Sequence, residues 1–256
     1  MPAATIVIPT RLDSSRFPRK ALADATGRPL VLHVVDQAAK ATCADRIIVA
    51  APDREILDVV AADDGPATAM ETRLDHPNGT SRLAEVADRL ADELADDAII
   101  VNVQGDEPEI EPEAIDAVVA ALEADSGADM ATIASPFGPD QDPTDPNIVK
   151  VVTDLQGRAI YFSRSPIPFD RDRLGVSHRR HVGLYAYRRA FLPRFAAWPE
   201  SPLETAERLE QLRVLENGGT IAVAEFDCQG TGIDTPEQYE AFVRLRLRLR
   251  GSREQE

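Results

Sequence analysis

The sequence contains little cysteine, with Cys43 and Cys228 as the two among 256 residues. Their spacing fits no metal-binding pattern, and two cysteines are too few for a disulfide framework, so we expect a reduced, cytoplasmic setting. Long apolar runs are also lacking, since none approaches the ~20 residues that span a bilayer. The first strand pattern begins by Thr5, so we expect no n-region and h-region of a signal peptide. We therefore expect an intracellular protein without a membrane segment.

Basic residues are scarce: 28 Lys and Arg stand against 44 Asp and Glu, which gives a net charge of −16. Such a charge argues against nucleic-acid binding, because phosphate backbones are repelled. The sequence has no G-x-x-x-x-G-K-[ST] motif, which excludes a P-loop NTPase. No G-x-G-x-x-G follows the first strand, which disfavours a dinucleotide-dependent dehydrogenase. Against this acidic background, a local basic cluster is informative.

Short apolar runs alternate with helical patterns through residues 1–136. This alternation predicts an α/β fold in which βαβ units build a mainly parallel sheet. The expected strands are residues 5–9, 46–51, 67–70, 99–105 and 130–135. The expected helices are residues 30–41, one capped by Asp53, one opened by Thr80, and one with Pro112 in its first turn. No linker separates independent domains, so we expect a single domain over residues 1–256.

Residues 137–256 have a different pattern. Residues 148–153 and 159–162 predict a hairpin, and further strands are expected at 181–187 and 221–226. Ser201 and Glu204 form a capping box with Pro202 at the first helical position, which predicts one helix running to about Gly218. A final helix is expected after Thr235.

The strand that ends before Asp106 is rich in β-branched residues, as in a parallel sheet buried on both faces. Ligands of open α/β sheets bind outside the carboxyl ends of the strands, so Asp106 is well placed to hold a metal ion or a polar substrate. The alternative is that Asp106 only caps a turn.

The loop after the first strand carries four basic residues within ten positions: Arg11, Arg16, Arg19 and Lys20. Guanidinium and ammonium groups at a strand end are a natural clamp for a polyphosphate. A solvated basic loop is the alternative.

Asp234 precedes a second capping box, from Thr235 to Gln238. If Thr235 is the cap, the Asp234 carboxylate is free to join Asp106 in a Mg²⁺ site; the alternative is that Asp234 is itself the cap. Glu210 falls inside the apolar stripe of the helix predicted from residue 202, where a carboxylate is unusual unless it binds something, although it could also reach solvent at the stripe edge. For His181 and Tyr185, an ordinary core position is the alternative to a binding role.

Eight blocks of this chain, in order, resemble the CMP-Kdo synthetases, or 3-deoxy-manno-octulosonate cytidylyltransferases, of the sugar nucleotidyltransferase group. The blocks are residues 8–20, 75–80, 101–108, 147–152, 161–164, 201–204, 209–213 and 230–236. The resemblance implies a Rossmann-like mixed sheet of the nucleotide-diphospho-sugar transferase type, with a CTP-binding half (1–136) and a sugar-acid-binding and dimerisation half (137–256).

The resemblance also implies a reaction, in which the anomeric hydroxyl of 3-deoxy-D-manno-octulosonate (Kdo) attacks the α-phosphate of CTP to give CMP-Kdo and pyrophosphate for lipopolysaccharide or related glycans. Lys20, Asp106 and Asp234 match its catalytic positions, and Asp106 and Asp234 its Mg²⁺ ligands. Matches to CTP-binding positions are Arg11, Ser14, Arg16, Lys20, Arg73, Asn78, Gly79 and Thr80. Matches to sugar-acid-binding positions are Gln104, Arg164, His181, Tyr185, Glu210 and Gln211. Arg164 is expected to meet the sugar carboxylate. A homodimer through residues 148–162 and 201–218 is expected, with no nucleic-acid or membrane partner.

The chain departs from the family pattern at Arg19 and Ala21, where Gly and Pro are usual. Arg19 adds charge and stiffness where the backbone should approach phosphate. Glu109 and Glu111 add negative charge beyond Asp106, and we expect both to face solvent. The alternative functions are the same chemistry on an amino-Kdo or a nonulosonic acid, and a nucleotide-binding homologue without catalysis.

Overall fold

The structure of the chain is a computed structural model that describes residues 3–230 and 232–253; Thr231, within the 230–236 block, lies outside them. Nine strands belong to one sheet within these ranges: β1 Ala4–Pro9, β2 Ala44–Ala51, β3 Ala67–Glu71, β4 Ile99–Asn102, β5 Met130–Pro136, β6 Lys150–Thr153, β7 Ala159–Ser163, β8 Arg179–Arg188 and β9 Ile221–Glu225. Eight α-helices are described: α1 Leu30–Ala38, α2 Arg54–Ala61, α3 Gly79–Arg89, α4 Pro112–Ala124, α5 Phe191–Ala197, α6 Pro202–Glu207, α7 Gln211–Glu216 and α8 Pro236–Arg253. A 3₁₀ helix covers Lys20–Leu22.

The main path of the sheet runs β3-β2-β1-β4-β8-β5-β9. Strands β1 to β4 pair in parallel, and β9 is parallel to β5. Strand β8 is antiparallel to both of its neighbours, β4 and β5. The predicted α/β class and mainly parallel sheet are therefore confirmed. Strands β8 and β9, from the residues after 136, complete the sheet that the earlier strands begin.

Helices cover both faces of the sheet because strand residues of both faces are apolar. On one face, α1, α2 and α4 pack in a core with β1 residues Ile6 and Ile8. On the other, α3, α5 and α7 pack with Val7 and Ile100. Helix α4 illustrates the periodicity, since the four side chains at its core-facing positions are fully buried, each stabilising the fold by about 1.5–3 kcal/mol. They are Ile115, Val118, Val119 and Leu122.

The strand directions place one set of loops together. The carboxyl ends of β1 and β4 are neighbours because the two strands are parallel. Strand β8 runs the other way, so its first residues lie at the same edge, where Ala134 of β5 pairs with His181. The predicted hairpin of β6 and β7 joins β8 at this edge through the pairing of Lys150 with Arg180.

Strand β4 ends at Asn102, three residues earlier than the sequence predicted. Val103 N–H still donates to the Val7 carbonyl at 3.1 Å, and Gln104 and Gly105 then cross the loop that follows β1. A Cβ atom on Gly105 would lie 3.0 Å from both the Pro9 carbonyl oxygen and the Thr10 Cβ. Glycine is therefore favoured by this close approach, and it lets the Asp106 segment lie against the basic loop.

The single helix predicted from residue 202 to about Gly218 is wrong. Helix α6 ends at Glu207, Arg208 adopts a left-handed backbone conformation with φ 54°, and α7 begins at Gln211. The cause is a contact from outside the segment. The Arg164 guanidinium donates through Nε to the Glu207 carbonyl (2.7 Å) and through Nη2 to the Arg208 carbonyl (3.4 Å), groups that a continuing helix would use.

Other helix boundaries differ by a few residues. Helix α1 ends at Ala38, before the predicted end at residue 41. Helix α3 begins at Gly79, with Asn78 as its N-cap, one residue before Thr80. In the described part of the chain, no helix has the length and apolar character needed to cross a bilayer.

Candidate active site

The loop after β1 lines a cavity of about 340 Å³ at the carboxyl edge of the sheet, which we name the basic cavity. Four of the residues matched to CTP-binding positions in this loop line it: Arg11, Ser14, Arg16 and Lys20. Three cationic side chains of this loop are thereby brought together, beside the carboxylates of Asp13, Asp106 and Asp234, in a chain whose net charge is −16. Such a cavity suits an anion with several negative charges.

The basic loop is fixed from helix α2. The backbone N–H of Leu12 donates to the Asp53 carboxylate at 2.8 Å. Asp53 was expected to cap α2, but its side chain makes no capping hydrogen bond and holds the loop. Arg19 has a left-handed backbone conformation (φ 61°), which explains why glycine is usual there, and its guanidinium pairs with Glu55 at 2.5 Å. Arg19 is not among the residues that line the basic cavity.

Lys20, Asp106 and Asp234 meet at one point. The Lys20 ammonium lies 2.6 Å from Asp106 Oδ2 and 3.3 Å from Asp234 Oδ1, and it donates to the Ile233 carbonyl at 2.9 Å. Arg16 Nη2 is 2.9 Å from the same Asp234 oxygen. Three segments that are distant in sequence therefore converge on one charged cluster.

The Asp234 carboxylate is free for this cluster because another residue caps α8. Gln238 N–H donates to Thr235 Oγ1 at 3.4 Å, and the Gln238 side chain accepts from Thr235 N–H at 3.0 Å. The capping box predicted from Thr235 to Gln238 is confirmed, and the alternative of Asp234 as the cap is not what the structure contains.

The two carboxylates form an acidic pair with room for a cation between them, since the Lys20 ammonium already bridges them. Their oxygens are the ligand type that Mg²⁺ prefers. Asp106 and Asp234 are 29% and 44% exposed, which leaves them accessible to water and substrate oxygens. No group of three or more potential His, Cys, Asp or Glu metal ligands occurs in residues 3–230 and 232–253, so an ion here would take its remaining ligands from those oxygens.

Two acidic neighbours of the pair, Glu107 and Glu111, lie in distinct environments. Burial raises the pKa of Glu107 to about 7, with a further contribution from the adjacent Asp106 and Glu111 charges. Glu111, expected to face solvent, accepts hydrogen bonds from the backbone N–H groups of Gln229 (2.6 Å) and Gly230 (2.9 Å). Its carboxylate therefore belongs to the framework around Asp234.

The start of α3 supplies another wall of the basic cavity. Asn78 and Gly79 line this cavity, whereas Thr80 does not. Asn78 Nδ2 donates to Glu210 Oε1 at 2.8 Å, and Thr80 Oγ1 donates to Glu210 Oε2 at 2.7 Å. Arg213 adds a contact to Glu210 at 3.2 Å. Burial raises the pKa of Glu210, opposed mainly by the Thr80 hydrogen bond.

Glu210 was singled out because it fell in the stripe of a continuous helix, and the break at Arg208 removes that reason. It stands instead immediately before α7, where its carboxylate reaches the residues that begin α3. The Glu210 side chain is 31% exposed, so it reaches solvent, and both of its oxygens also accept hydrogen bonds from the residues that begin α3.

A second cavity, of about 360 Å³, lies beside β8, and we name it the His181 cavity. His181, Tyr185 and Gln211 line it together with Arg180. Burial lowers the pKa of His181 to about 3 and raises that of Tyr185. His181 Nε2 lies 2.9 Å from Thr132 Oγ1. The two cavities are close. Asn78, which lines the basic cavity, donates to Glu210, and Glu210 directly precedes Gln211, which lines the His181 cavity.

Gln211 is an unusual buried group. It is 4% exposed, and its side-chain nitrogen has no hydrogen-bond partner among the described residues. A buried amide donor without a partner costs free energy, so a ligand that accepts from it would relieve that cost. This arrangement points to a polar ligand in the His181 cavity.

Gln104, Arg73 and Arg164 do not lie in the cavity that the family resemblance implied for them. Gln104, matched to the sugar acid, lines the basic cavity beside Asp106. Arg73 is 69% exposed, with Asp75 as its nearest ion-pair partner at 3.5 Å, and lines neither cavity. Arg164 also lines neither, because its guanidinium is occupied by backbone carbonyls at the end of α6 and by that of Pro146 (2.8 Å).

The residues of the basic cavity that were not predicted as site residues include His76 and Arg82. Arg82 is buried and donates to Thr72 Oγ1 and to the Arg73 carbonyl. The available signal was its position beside Leu83 at the edge of the apolar stripe of α3, where a charged residue is unusual. His76 is buried against Glu85, and only its place in the 75–80 block indicated it.

The chain is similar to known proteins over nearly its whole length. The family model for cytidylyltransferases matches residues 5–221. The 3-deoxy-manno-octulosonate cytidylyltransferase of Syntrophotalea carbinolica is 49% identical over 256 residues, covering 96% of this chain and 98% of that protein. The protein of the same name from Pseudomonas syringae is 47% identical over 253 residues, covering 95% and 98%.

Solved structures are similar as well. The structure of CMP:2-keto-3-deoxy-manno-octonic acid synthetase complexed with CTP matches with a TM-score of 0.88 at 38% identity, covering 96% of this chain and 99% of that one. 4-Diphosphocytidyl-2C-methyl-D-erythritol synthase matches with a TM-score of 0.64 at 14% identity, covering 96% and 99%. The second likeness concerns the fold alone.

Proposed function

The chain belongs to the 3-deoxy-manno-octulosonate cytidylyltransferases, within the cytidylyltransferase family, and from this membership we propose that it transfers the cytidylyl group of CTP to Kdo. The sugar's anomeric oxygen loses its proton and bonds to the α-phosphorus. The bond from that phosphorus to the β-phosphate oxygen breaks, so the products are CMP-Kdo, pyrophosphate and a proton.

The observation that carries this proposal is the convergence of Lys20, Asp106 and Asp234 at the wall of the basic cavity. Phosphoryl transfer to a hydroxyl needs charge neutralisation and in-line placement more than covalent assistance. Arg11 and Arg16 supply positive charge for a triphosphate in the same cavity. The nearby His181 cavity offers room for the second substrate.

We further propose that Asp106 and Asp234 hold Mg²⁺. The bridging of both carboxylates by the Lys20 ammonium supports this, because it means that a cation is accommodated between them. Bound there, Mg²⁺ would neutralise charge on the α-phosphate and lower the pKa of the sugar hydroxyl. We expect Lys20 then to turn its ammonium towards the phosphate oxygens, which it can do through its four-carbon stem.

For the sugar acid we propose the His181 cavity. The unpartnered amide of Gln211 and the neutral imidazole of His181 support binding of sugar hydroxyls. A carboxylate needs a basic partner, and Arg164 has its donors engaged by backbone carbonyls. Arg180 lines the cavity and donates through Nε and Nη2 to the carbonyls of Pro136 and Cys228, and we propose its remaining guanidinium edge for the carboxylate.

A homodimer through residues 148–162 and 201–218 is part of the proposal. The exposure of Ile160 on β7 (59%) and Leu203 on α6 (38%) supports it, because exposed aliphatic side chains favour burial against a partner. Ile160→Asp should shift the mass measured by light scattering from that of a dimer to that of a monomer. The cytoplasmic setting and the use of CMP-Kdo for lipopolysaccharide or related glycans rest on the family resemblance.

The test is pyrophosphate release with Mg²⁺, CTP and, in separate reactions, Kdo, an amino-Kdo and a nonulosonic acid. We expect release with Kdo. Release with none of the three would refute the enzyme function, and release confined to another acid would change the substrate.

Asp106→Asn is the matched variant for this assay, since it removes one charge from the proposed ion site with little change of shape. It should lower turnover about 100-fold or more, because it removes a ligand charge. Its thermal unfolding should stay close to that of the unaltered protein, since Asp106 is partly exposed. Near-normal turnover would contradict the role of Asp106.

A further inference from the structure

The segment that carries Asp234 contacts the segment that carries Asp106, in addition to Lys20 and a small core in which Ile233 packs with Leu30, Tyr239 and Phe242. After β9, the chain makes its last sheet-edge contacts at Phe226 and Cys228, which donate to β5. Beyond them, Ile233 N–H donates to the Asp106 carbonyl at 2.8 Å. The position of one acidic residue therefore depends on the backbone of the other.

Glu111 makes the second set of contacts. Its Oε1 accepts from two consecutive backbone N–H groups, those of Gln229 at 2.6 Å and Gly230 at 2.9 Å. Hydrogen bonds from backbone N–H groups to a carboxylate are charge-assisted and are about twice as strong as neutral ones. These bonds fix Gln229 and Gly230, which we name the stem of the Asp234 segment, and Gly230 lies four residues before Asp234.

Glu111 is a rigid anchor for these bonds. It is the N-cap residue of α4, and Pro112 follows at the first helical position. The core-facing side chains of α4 are fully buried, so the helix cannot shift without disturbing the core. The Asp106 and Glu111 segment is thus tied to the sheet at one end and to α4 at the other.

The stem lies so close to this anchor that its geometry is restricted. A Cβ atom on Gly230 would lie 2.8 Å from the Glu109 carbonyl oxygen, a separation that real Cβ atoms essentially never have. Glycine permits this approach, and Glu111 then supplies the acceptor for the two N–H groups that the approach brings together.

We propose that Glu111 is a positioning residue for the cation site: its carboxylate sets the stem at Gln229 and Gly230 so that the Asp234 carboxylate faces Asp106. The inference rests on the proposed function in assigning the cation to these two carboxylates. Without Glu111, the Ile233 contact with the Asp106 carbonyl and the Lys20 bridge remain as ties between the segments, and the separation of the two carboxylates is less restricted.

Metal affinity is the property that this variation should affect. Loss of an outer partner that orients a metal ligand typically lowers affinity 10–100-fold. Because Glu111 holds the segment and not the Asp234 side chain, we expect the lower end, about 10-fold. Binding of CTP through Arg11 and the start of α3 should change little, since neither contacts Glu111.

The experiment compares Glu111→Ala and Glu111→Gln with the matched control Glu109→Ala. Glu109 lies two residues away, and its carboxylate makes no hydrogen bond or ion pair among the described residues. Mn²⁺ binding is measured by electron paramagnetic resonance with CTP present, and exchange of the Gln229 and Gly230 amide protons is followed by NMR. Neither readout requires turnover.

Glu111→Ala should weaken Mn²⁺ binding about 10-fold and speed exchange of both amides. Glu111→Gln keeps an acceptor oxygen without the charge and should recover part of both effects. Glu109→Ala should match the unaltered protein. Fast amide exchange with unchanged Mn²⁺ affinity would overturn the proposal by reducing Glu111 to a structural role. Unchanged exchange in Glu111→Ala would overturn it as well.

A failure of the proposed function is distinguishable from a failure of this inference. Absence of pyrophosphate release with every sugar acid would remove the function and leave both readouts of Glu111 intact. Glu111→Gln keeps the test open if Glu111→Ala does not fold.

Discussion

The neutral state of His181 predicts a measurable dependence of stability on pH. Burial lowers the folded-state pKa of His181 to about 3, against an ordinary value of 6.5. The unfolded chain therefore takes up a proton below pH 6.5 that the folded chain does not, and stability is lost as the pH falls through this window. At pH 5, protonation of the imidazole stabilises the unfolded state by about RT ln(1 + 10^1.5), or about 2 kcal/mol. Near pH 8 this stabilisation is almost zero. A folded-state pKa anywhere below about 4 gives the same result.

The assay is urea unfolding of the unaltered protein and His181→Gln at pH 8 and pH 5, at one protein concentration. Glutamine can keep a polar contact to Thr132 but does not titrate. All other titrating groups are shared by the two proteins. Between pH 8 and pH 5, the free energy of unfolding of the variant should therefore fall by about 2 kcal/mol less than that of the unaltered protein. At a urea dependence of about 2 kcal/mol/M, this is a difference of about 1 M in the shift of the urea midpoint. Equal losses to within about 0.5 kcal/mol would refute the assignment of a neutral, desolvated imidazole.

Three further predictions concern the surroundings of the two cavities. Lys150→Met should lower the free energy of unfolding by about 2–4 kcal/mol in urea titration, because the fully buried ammonium donates to three backbone carbonyls that methionine would leave unpaired. Arg19→Gly should leave the KM for CTP within about twofold, since the side chain pairs with Glu55 outside the basic cavity; a larger rise would mean that Arg19 reaches the phosphates. Glu210→Ala should raise the KM for both CTP and the sugar acid in steady-state assays, because Asn78 loses its partner; an effect on the sugar alone would favour direct sugar contact.

Much of the sheet could be predicted because its elements depend on local patterns. The buried face of α4 follows from the 3.6-residue period of Ile115 to Leu122, and Pro112 marks its start. Strand β4 follows from its β-branched run. The early end of that strand could not be predicted, since it depends on where the loop after β1 crosses Gly105.

The break between α6 and α7 shows the limit of local reasoning. Residues 202–217 carry a capping box and helical periodicity, and no glycine or proline interrupts them after Pro202. The interruption at Arg208 comes from Arg164, more than 40 positions earlier, whose guanidinium takes the carbonyls at the end of α6. A contact between distant residues outweighed the local preference.

The charged cluster was more predictable than the polar groups that support it. Lys20, Asp106 and Asp234 follow strand ends or precede a capped helix, which are positions that sequence patterns identify. Asp53 and Glu111 were predicted as a helix cap and a solvent-facing residue. Each instead accepts backbone N–H groups from a loop, and no local pattern encodes the partner of such a bond.

The same helix break links the two cavities. Because α6 stops at Glu207, α7 begins with Glu210 against the start of α3 and with Gln211 in the His181 cavity. Asn78 faces the basic cavity and caps α3, so an anion that orders Asn78 also orders Glu210. Gln211 follows Glu210 directly in the chain, and we expect a shift of Glu210 to move the Gln211 amide. The carboxylate of Glu210 is therefore placed to make the geometry of the His181 cavity depend on occupation of the basic cavity, which is why its removal should affect both substrates.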